Sequence, residues 1–127
     1  MNSPKERGIK AENYFISLLN NKGIQYNYDD DWYDFEVMDN LIEVKSCNVS
    51  VKQSGSYRVG RFDFTDEENR EMQYKENIWI CFIIQASNQF ICLGFCRARK
   101  LQRKRYISCS KYRELDLISF EDWLNNV

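Results

Sequence analysis

The chain has 127 residues, 18 Lys+Arg against 19 Asp+Glu for a net charge of −1, 43% hydrophobic and 15% aromatic residues, and one proline. That composition builds one domain over residues 1–127 and excludes a disordered chain or a string of modules. The longest apolar run, Ile78 to Ile84, is far short of the ~20 residues that cross a bilayer, and the first residues lack a signal peptide's apolar stretch, so the expected location is the cytoplasm.

Ser3-Pro4-Lys5-Glu6 sets out a helix start, with a hydroxyl N-cap, proline at the first helical position and glutamate three residues after the cap. The helix should run from about residue 4 to 22. Ala11, Phe15, Leu18 and Leu19 share one stripe, Glu12 lies at its edge, and Gly23 is the stop. Residues 24–28 alternate as a strand, and Asp29-Asp30-Asp31 is an acidic turn.

Two further strands, Tyr33 to Met38 and Leu41 to Ser46, flank Asp39-Asn40, a dipeptide suited to a two-residue hairpin turn. With that turn Met38 opposes Leu41, Glu36 opposes Glu43 and Asp34 opposes Lys45. Opposed residues project from the same side of a pleated pair. One face then carries Asp34, Glu36, Glu43 and Lys45, and the other the core residues Phe35, Val37, Ile42 and Val44.

Residues 47–60 are polar, hold two glycines, and read as a mobile loop or irregular hairpin. A short strand follows at Arg61 to Phe64, then a helix opened by Thr65-Asp66-Glu67-Glu68 and running to about Lys75, with Met72 among its few apolar positions. Ile78 to Ile84 is a buried strand, Ala86-Ser87-Asn88 a turn, and Gln89 to Cys96 its partner. Ala98 to Arg105 reads as a basic helix, and Ser119 caps a terminal amphipathic turn anchored by Phe120, Trp123 and Leu124. The class is α/β or α+β, a mixed sheet of about five strands flanked by helices.

There is no histidine, which excludes Ser-His-Asp and Cys-His catalysis and leaves carboxylates, lysine or a carboxylate-bound metal. The five cysteines, Cys47, Cys81, Cys92, Cys96 and Cys109, form no CxxC pair and read as reduced, mostly buried thiols. Residues 97–113 hold eight Lys/Arg and no acid, leaving ten Lys/Arg against 19 Asp+Glu, a net −9, on the other 110 residues. Such a segment is either a footprint for phosphates or a solvated face.

Carboxylates on neighbouring strands beside a lysine suit phosphodiester hydrolysis. Asp34 and Glu43 offer hard oxygens of the kind Mg²⁺ prefers. Lys45 on the same face can orient water and offset charge on the phosphate. The plainer reading of Glu43 and Lys45 is the wet face of a half-exposed strand.

Asp34, the Glu43-Val44-Lys45 tripeptide nine positions on, and a capped helix bearing Glu12 in Gly8-Ile9-Lys10-Ala11-Glu12 together resemble the PD-(D/E)XK nuclease superfamily. Within it the pattern is most similar to the archaeal-type Holliday-junction resolvases, over about two-thirds of the chain. The resemblance departs at Tyr33, where the family usually has proline. It implies a restriction-endonuclease-like core and an endodeoxyribonuclease using Mg²⁺ or Mn²⁺, held by Asp34, Glu43, the Val44 carbonyl and Glu12, with Lys45 catalytic. It further implies a homodimer, DNA as partner with branched DNA as the expected substrate, and DNA contacts through Lys52, Arg58 and Arg61. The basic stretch adds Arg97, Arg99, Lys100, Arg103, Lys104 and Arg105 to those contacts. Tyr57 lies amid the first group, where it can stack on an unpaired base or shield the loop. The alternatives are an inactive nucleic-acid-binding protein of the same fold and a protein-interaction domain.

Overall fold

A computed structural model describes residues 4–29, 33–65, 77–101 and 105–127. Helix α1 (Pro4–Asn21) ends on Gly23 in the left-handed region, φ 67°. Gly23 N–H donates to Asn20 C=O and Ile24 N–H to Leu19 C=O, both at 3.0 Å. These paired bonds satisfy carbonyls that a helix end otherwise leaves open.

The strands are β1 (Asn27–Tyr28), β2 (Phe35–Val37), β3 (Asn40–Asn48), β4 (Ser50–Gln53), β5 (Ser56–Val59), β6 (Arg61–Asp63), β7 (Ile78–Ala86), β8 (Gln89–Arg97) and β9 (Tyr106–Ser108). Five of them form the expected mixed sheet, in the order β1-β2-β3-β7-β8, with β3 and β7 parallel and the other pairs antiparallel. The pairs β4–β5 and β6–β9 make two small sheets. Period-two alternation along β3 and β7 gives the sheet two apolar faces, and each has its own cover.

On one face α1 places Ala11, Phe15 and Leu19 against Phe35, Val37, Ile42, Trp79, Cys81, Ile83 and Phe95. The closing helix α2 (Phe120–Asn126) adds Trp123, whose ring stacks on Phe95 with centroids 4.4 Å apart. Its N-cap is the expected Ser119, whose Oγ accepts the Asp122 N–H at 3.2 Å. The opposite face is covered by Phe62 and Phe64, by Ala98 and Leu101 of a short 3-10 helix, and by Ile107 and Cys109. In β8 one residue bulges between Cys92 and Gly94. Gly94 is irreplaceable there, because a Cβ would lie 2.6 Å from Ile118 O.

Several expectations are corrected. The hairpin turn falls on Met38-Asp39, both with positive φ (48° and 65°), so Val37 opposes Asn40, Glu36 opposes Leu41 and Phe35 opposes Ile42. The register has slipped by two residues, which leaves every side chain on its expected face. The first strand shrinks to β1. Residues 47–60 are ordered into the end of β3 and the β4–β5 hairpin. Of the expected basic helix, the described residues Ala98–Leu101 form a 3-10 segment, and strand β9 begins at Tyr106. The helix expected from Thr65 to Lys75, with Met72, falls on 66–76, which lie outside the described residues, as do Ser3, Asp30, Asp31, Arg103 and Lys104.

Candidate active site

Asp34 lies one residue before β2, outside its regular ladder with β3. Asp34 N–H donates to Ile42 C=O at 2.9 Å, whereas Leu41 N–H donates to Asn77 C=O on the β7 side at 2.8 Å. Alternate residues of a strand turn their backbone groups to alternate neighbours. Val44 therefore directs its N–H and C=O to the β2 side, and Asp34 Oδ2 accepts that N–H at 2.7 Å. A bond this short to a carboxylate is charge-assisted and pins the Asp34 side chain against β3.

Glu43, only 9% exposed, is buried and is no wet strand residue. Its Oε1 lies 3.6 Å from Lys45 Nζ, with both side chains nearly buried. The ammonium also sits 5.2 Å from the centre of the Phe64 ring. Two charges removed from water this way are costly, and an apolar pair of similar volume would serve stability at least as well. Packing alone gives no reason for charge at these positions. Glu36, on the same face, is half-buried.

The Asp34 carboxylate, the Glu43 carboxylate on β3 and the Val44 carbonyl turned toward β2 are oxygen donors of the kind a small hard cation takes. Glu12 is half-buried on α1, which covers the other face of the sheet. Among the described residues no three His, Cys, Asp or Glu side chains come together as a ligand set, so Glu12 is not gathered with Asp34 and Glu43. Arg7 went unnoticed in the sequence, where it is one of 18 cations. Its charge reaches Cys47, two residues beyond Lys45 on β3, and its Nε is buried without a hydrogen-bond partner.

The cysteines pack on both faces of the sheet, Cys47, Cys96 and Cys109 with Phe62 and Phe64, and Cys81 and Cys92 on the α1 side. Burial pushes the Cys47 thiol up to about 12, with the neighbouring Cys109 adding to the effect, and pushes Cys96 up to about 12 as well. Cys81 is held well above its ordinary value by burial and by the thiol of Cys92, 3.7 Å away, whereas the same contact lowers Cys92.

The expected DNA-contacting residues that are described lie on the β4–β5 hairpin, on β6, and from the end of β8 to Arg105. Lys52 and Arg58 are exposed on the β4–β5 hairpin. Arg61 is 3.2 Å from Asp63 and 4.7 Å from the Tyr106 ring centre. Arg97 lies 4.6 Å from the Trp79 ring centre, and Arg99, Lys100 and Arg105 are exposed.

The mixed sheet, its helices and this hairpin make up an α/β fold similar to that of a bacterial homing endonuclease, I-Ssp6803I, with a TM-score of 0.52 and 19% identity over 84% of this chain and 75% of that one. No family model and no curated protein matches the sequence. No helix among the described residues is long and apolar enough to cross a membrane.

Proposed function

We propose that this protein is a divalent-metal-dependent endonuclease that hydrolyses phosphodiester bonds in DNA. One observation carries the reading: the buried Glu43–Lys45 pair lies across the hairpin from an Asp34 carboxylate pinned to Val44 N–H. The shared fold with a homing endonuclease supports DNA as the substrate class. Asp34, Glu43 and the Val44 carbonyl would hold Mg²⁺ or Mn²⁺ between them, without Glu12. The chemistry a bound Mg²⁺ supplies is polarisation of the scissile phosphate. The Lys45 ammonium, beside the Phe64 ring, would orient the attacking water and offset negative charge developing on the phosphate oxygens. Lys52, Arg58, Arg61 and the basic residues from Arg97 to Arg105 contact the duplex, most of them through its phosphates. The site belongs to a PD-(D/E)XK-like, resolvase-like arrangement, acting as a homodimer on branched DNA, where two symmetric strands require two sites.

A second reading is an inactive nucleic-acid-binding protein, favoured by the contact of Lys45 with Glu43 and by the two-carboxylate ligand set among the described residues. Labelled linear, forked and four-way DNA incubated with Mg²⁺, Mn²⁺ or chelator separates the two. Metal-dependent nicking, fastest on the four-way substrate, is expected. Binding with no cleavage on any substrate establishes the inactive binder, and neither binding nor cleavage removes both.

A further inference from the structure

The hairpin β4–β5 is the part of the molecule that packing explains least. Both residues of its Ser54-Gly55 turn have positive φ, 50° and 82°, as a two-residue hairpin turn demands. Its pairs are Ser50–Val59, Val51–Arg58 and Lys52–Tyr57. The face made by Ser50, Lys52, Tyr57 and Val59 is exposed throughout, with Tyr57 at 73% and Val59 at 47%. The other face carries the exposed Arg58 and a half-buried Val51. Residues 49–59 contain two cations and no acid in a chain of net charge −1.

An isolated two-stranded ribbon is marginally stable in water, yet this one is anchored firmly at its foot. Gly60 N–H donates to Val49 C=O at 3.0 Å, and Gly60 C=O accepts from Cys109 N–H at 2.9 Å. A Cβ on Gly60 would stand 1.6 Å from Asn48 O, so only glycine lets the two legs close. The ribbon is thus a direct extension of β3, the strand that bears Glu43 and Lys45. From Lys45 to Lys52 is seven residues, at most about 23 Å of strand and so about seven base-pair rises of 3.4 Å.

We infer that the β4–β5 ribbon enters the major groove of duplex DNA and reads base edges through Ser50, Lys52, Tyr57 and Val59. The inference rests on the nuclease reading and deepens it from phosphate contact to base recognition. The major groove admits a two-stranded ribbon, and the chemistry on this face matches what that groove displays. Lys52 donates to guanine O6 and N7, Ser50 bonds either partner, and Val59 meets the thymine methyl. Tyr57, exposed and paired with Lys52 across the strands, buttresses the lysine. Arg58, on the opposite face, is left for the flanking phosphates.

The test is selection from a randomised duplex library with Ca²⁺ present, comparing wild type with Lys52→Gln, Tyr57→Ala and Arg58→Gln. All three positions are exposed, and circular dichroism verifies that the variants fold. Wild type should enrich defined base pairs, and Lys52→Gln and Tyr57→Ala should each lose about five-fold to a hundred-fold of preference at one or two of them. Arg58→Gln should instead weaken binding evenly on all sequences and reduce the salt slope by about one. Binding by wild type with no enriched position overturns the inference alone, as does an even loss across sequences for Lys52→Gln and Tyr57→Ala. Absence of any duplex binding or cleavage overturns the nuclease reading with it.

Discussion

Replacing Asp34 separates what its carboxylate does for the fold from what it does for chemistry. Asp34 Oδ2 accepts the part-buried Val44 N–H at 2.7 Å. Asp34→Ala leaves that donor without its partner, which costs about 1.5–3 kcal/mol for a bond to a charged group. With an unfolding entropy of about 2.1 cal/mol/K per residue, a chain of 127 residues should lose about 6–11 °C in Tm. Asp34→Asn keeps an acceptor oxygen and loses only the charge assistance, about 0.5–1.5 kcal/mol or about 2–6 °C. Its cleavage rate should nonetheless fall by a hundredfold or more, because the cation loses a charge-neutralising ligand, while DNA binding is retained or tightened as repulsion from phosphate is relieved. Calorimetric melting and single-turnover cleavage are the two assays. Asp34→Ala melting with wild type, or Asp34→Asn cutting at the wild-type rate, refutes the reasoning.

Lys45→Ala should slow the chemical step on the order of a hundredfold with metal binding largely intact, and Lys45→Arg should rescue it in part, since its fork keeps the charge but not the compact geometry; an unchanged rate removes Lys45 from catalysis. Because burial raises the Cys47 and Cys96 thiols to about 12 from 9.0, each contributes stability that is present below pH 9 and is lost as pH rises through that interval, by up to about 1.4 kcal/mol per unit. Urea midpoints at pH 7 and pH 10 should show that loss in wild type and a smaller one in a Cys47→Ala, Cys96→Ala variant. Trp123→Ala, removing a fully buried ring stacked on Phe95, should cost about 3–5 kcal/mol in urea unfolding. Substituting Arg103, Lys104 and Arg105 by Gln should flatten the salt slope of DNA binding by about one per lost phosphate contact, and an unchanged slope makes that stretch a solvated surface.

The faces of the β2–β3 hairpin were legible because alternation survives a register error of two. The register itself was not. Asn40 is drawn into β3 by contacts from the far strand: Trp79 Nε1 donates to Asn40 Oδ1 at 2.9 Å, and Asn77 Nδ2 donates to Asp39 O at 2.8 Å. Those partners lie about 40 positions away, so the local Asp39-Asn40 signal lost to tertiary contacts. The β4–β5 hairpin was half-legible, since Ser54-Gly55 is a turn signal between alternating residues. The strand β9 had no local signal: Tyr106–Ser108 is ordered by pairing with Arg61–Asp63, and the basic composition around it pointed to helix instead. In the candidate site, Asp34, Glu43 and Lys45 could be placed on one face from their parity alone. Burial of Glu43 depends on Phe62 and Phe64 crossing that face, and the location of Glu12 depends on which face α1 covers. Neither is written in a local pattern.

The most direct measurement of the central claim is cleavage of one labelled DNA by wild type and Glu43→Gln, side by side, in Mg²⁺ and in chelator. Glu43→Gln keeps the size of the side chain and its place beside Lys45 while removing the charge a cation needs. The account predicts product only for wild type in Mg²⁺, with both proteins folded and both bound to the DNA. Equal cleavage by Glu43→Gln, or wild-type cleavage undiminished in chelator, contradicts it.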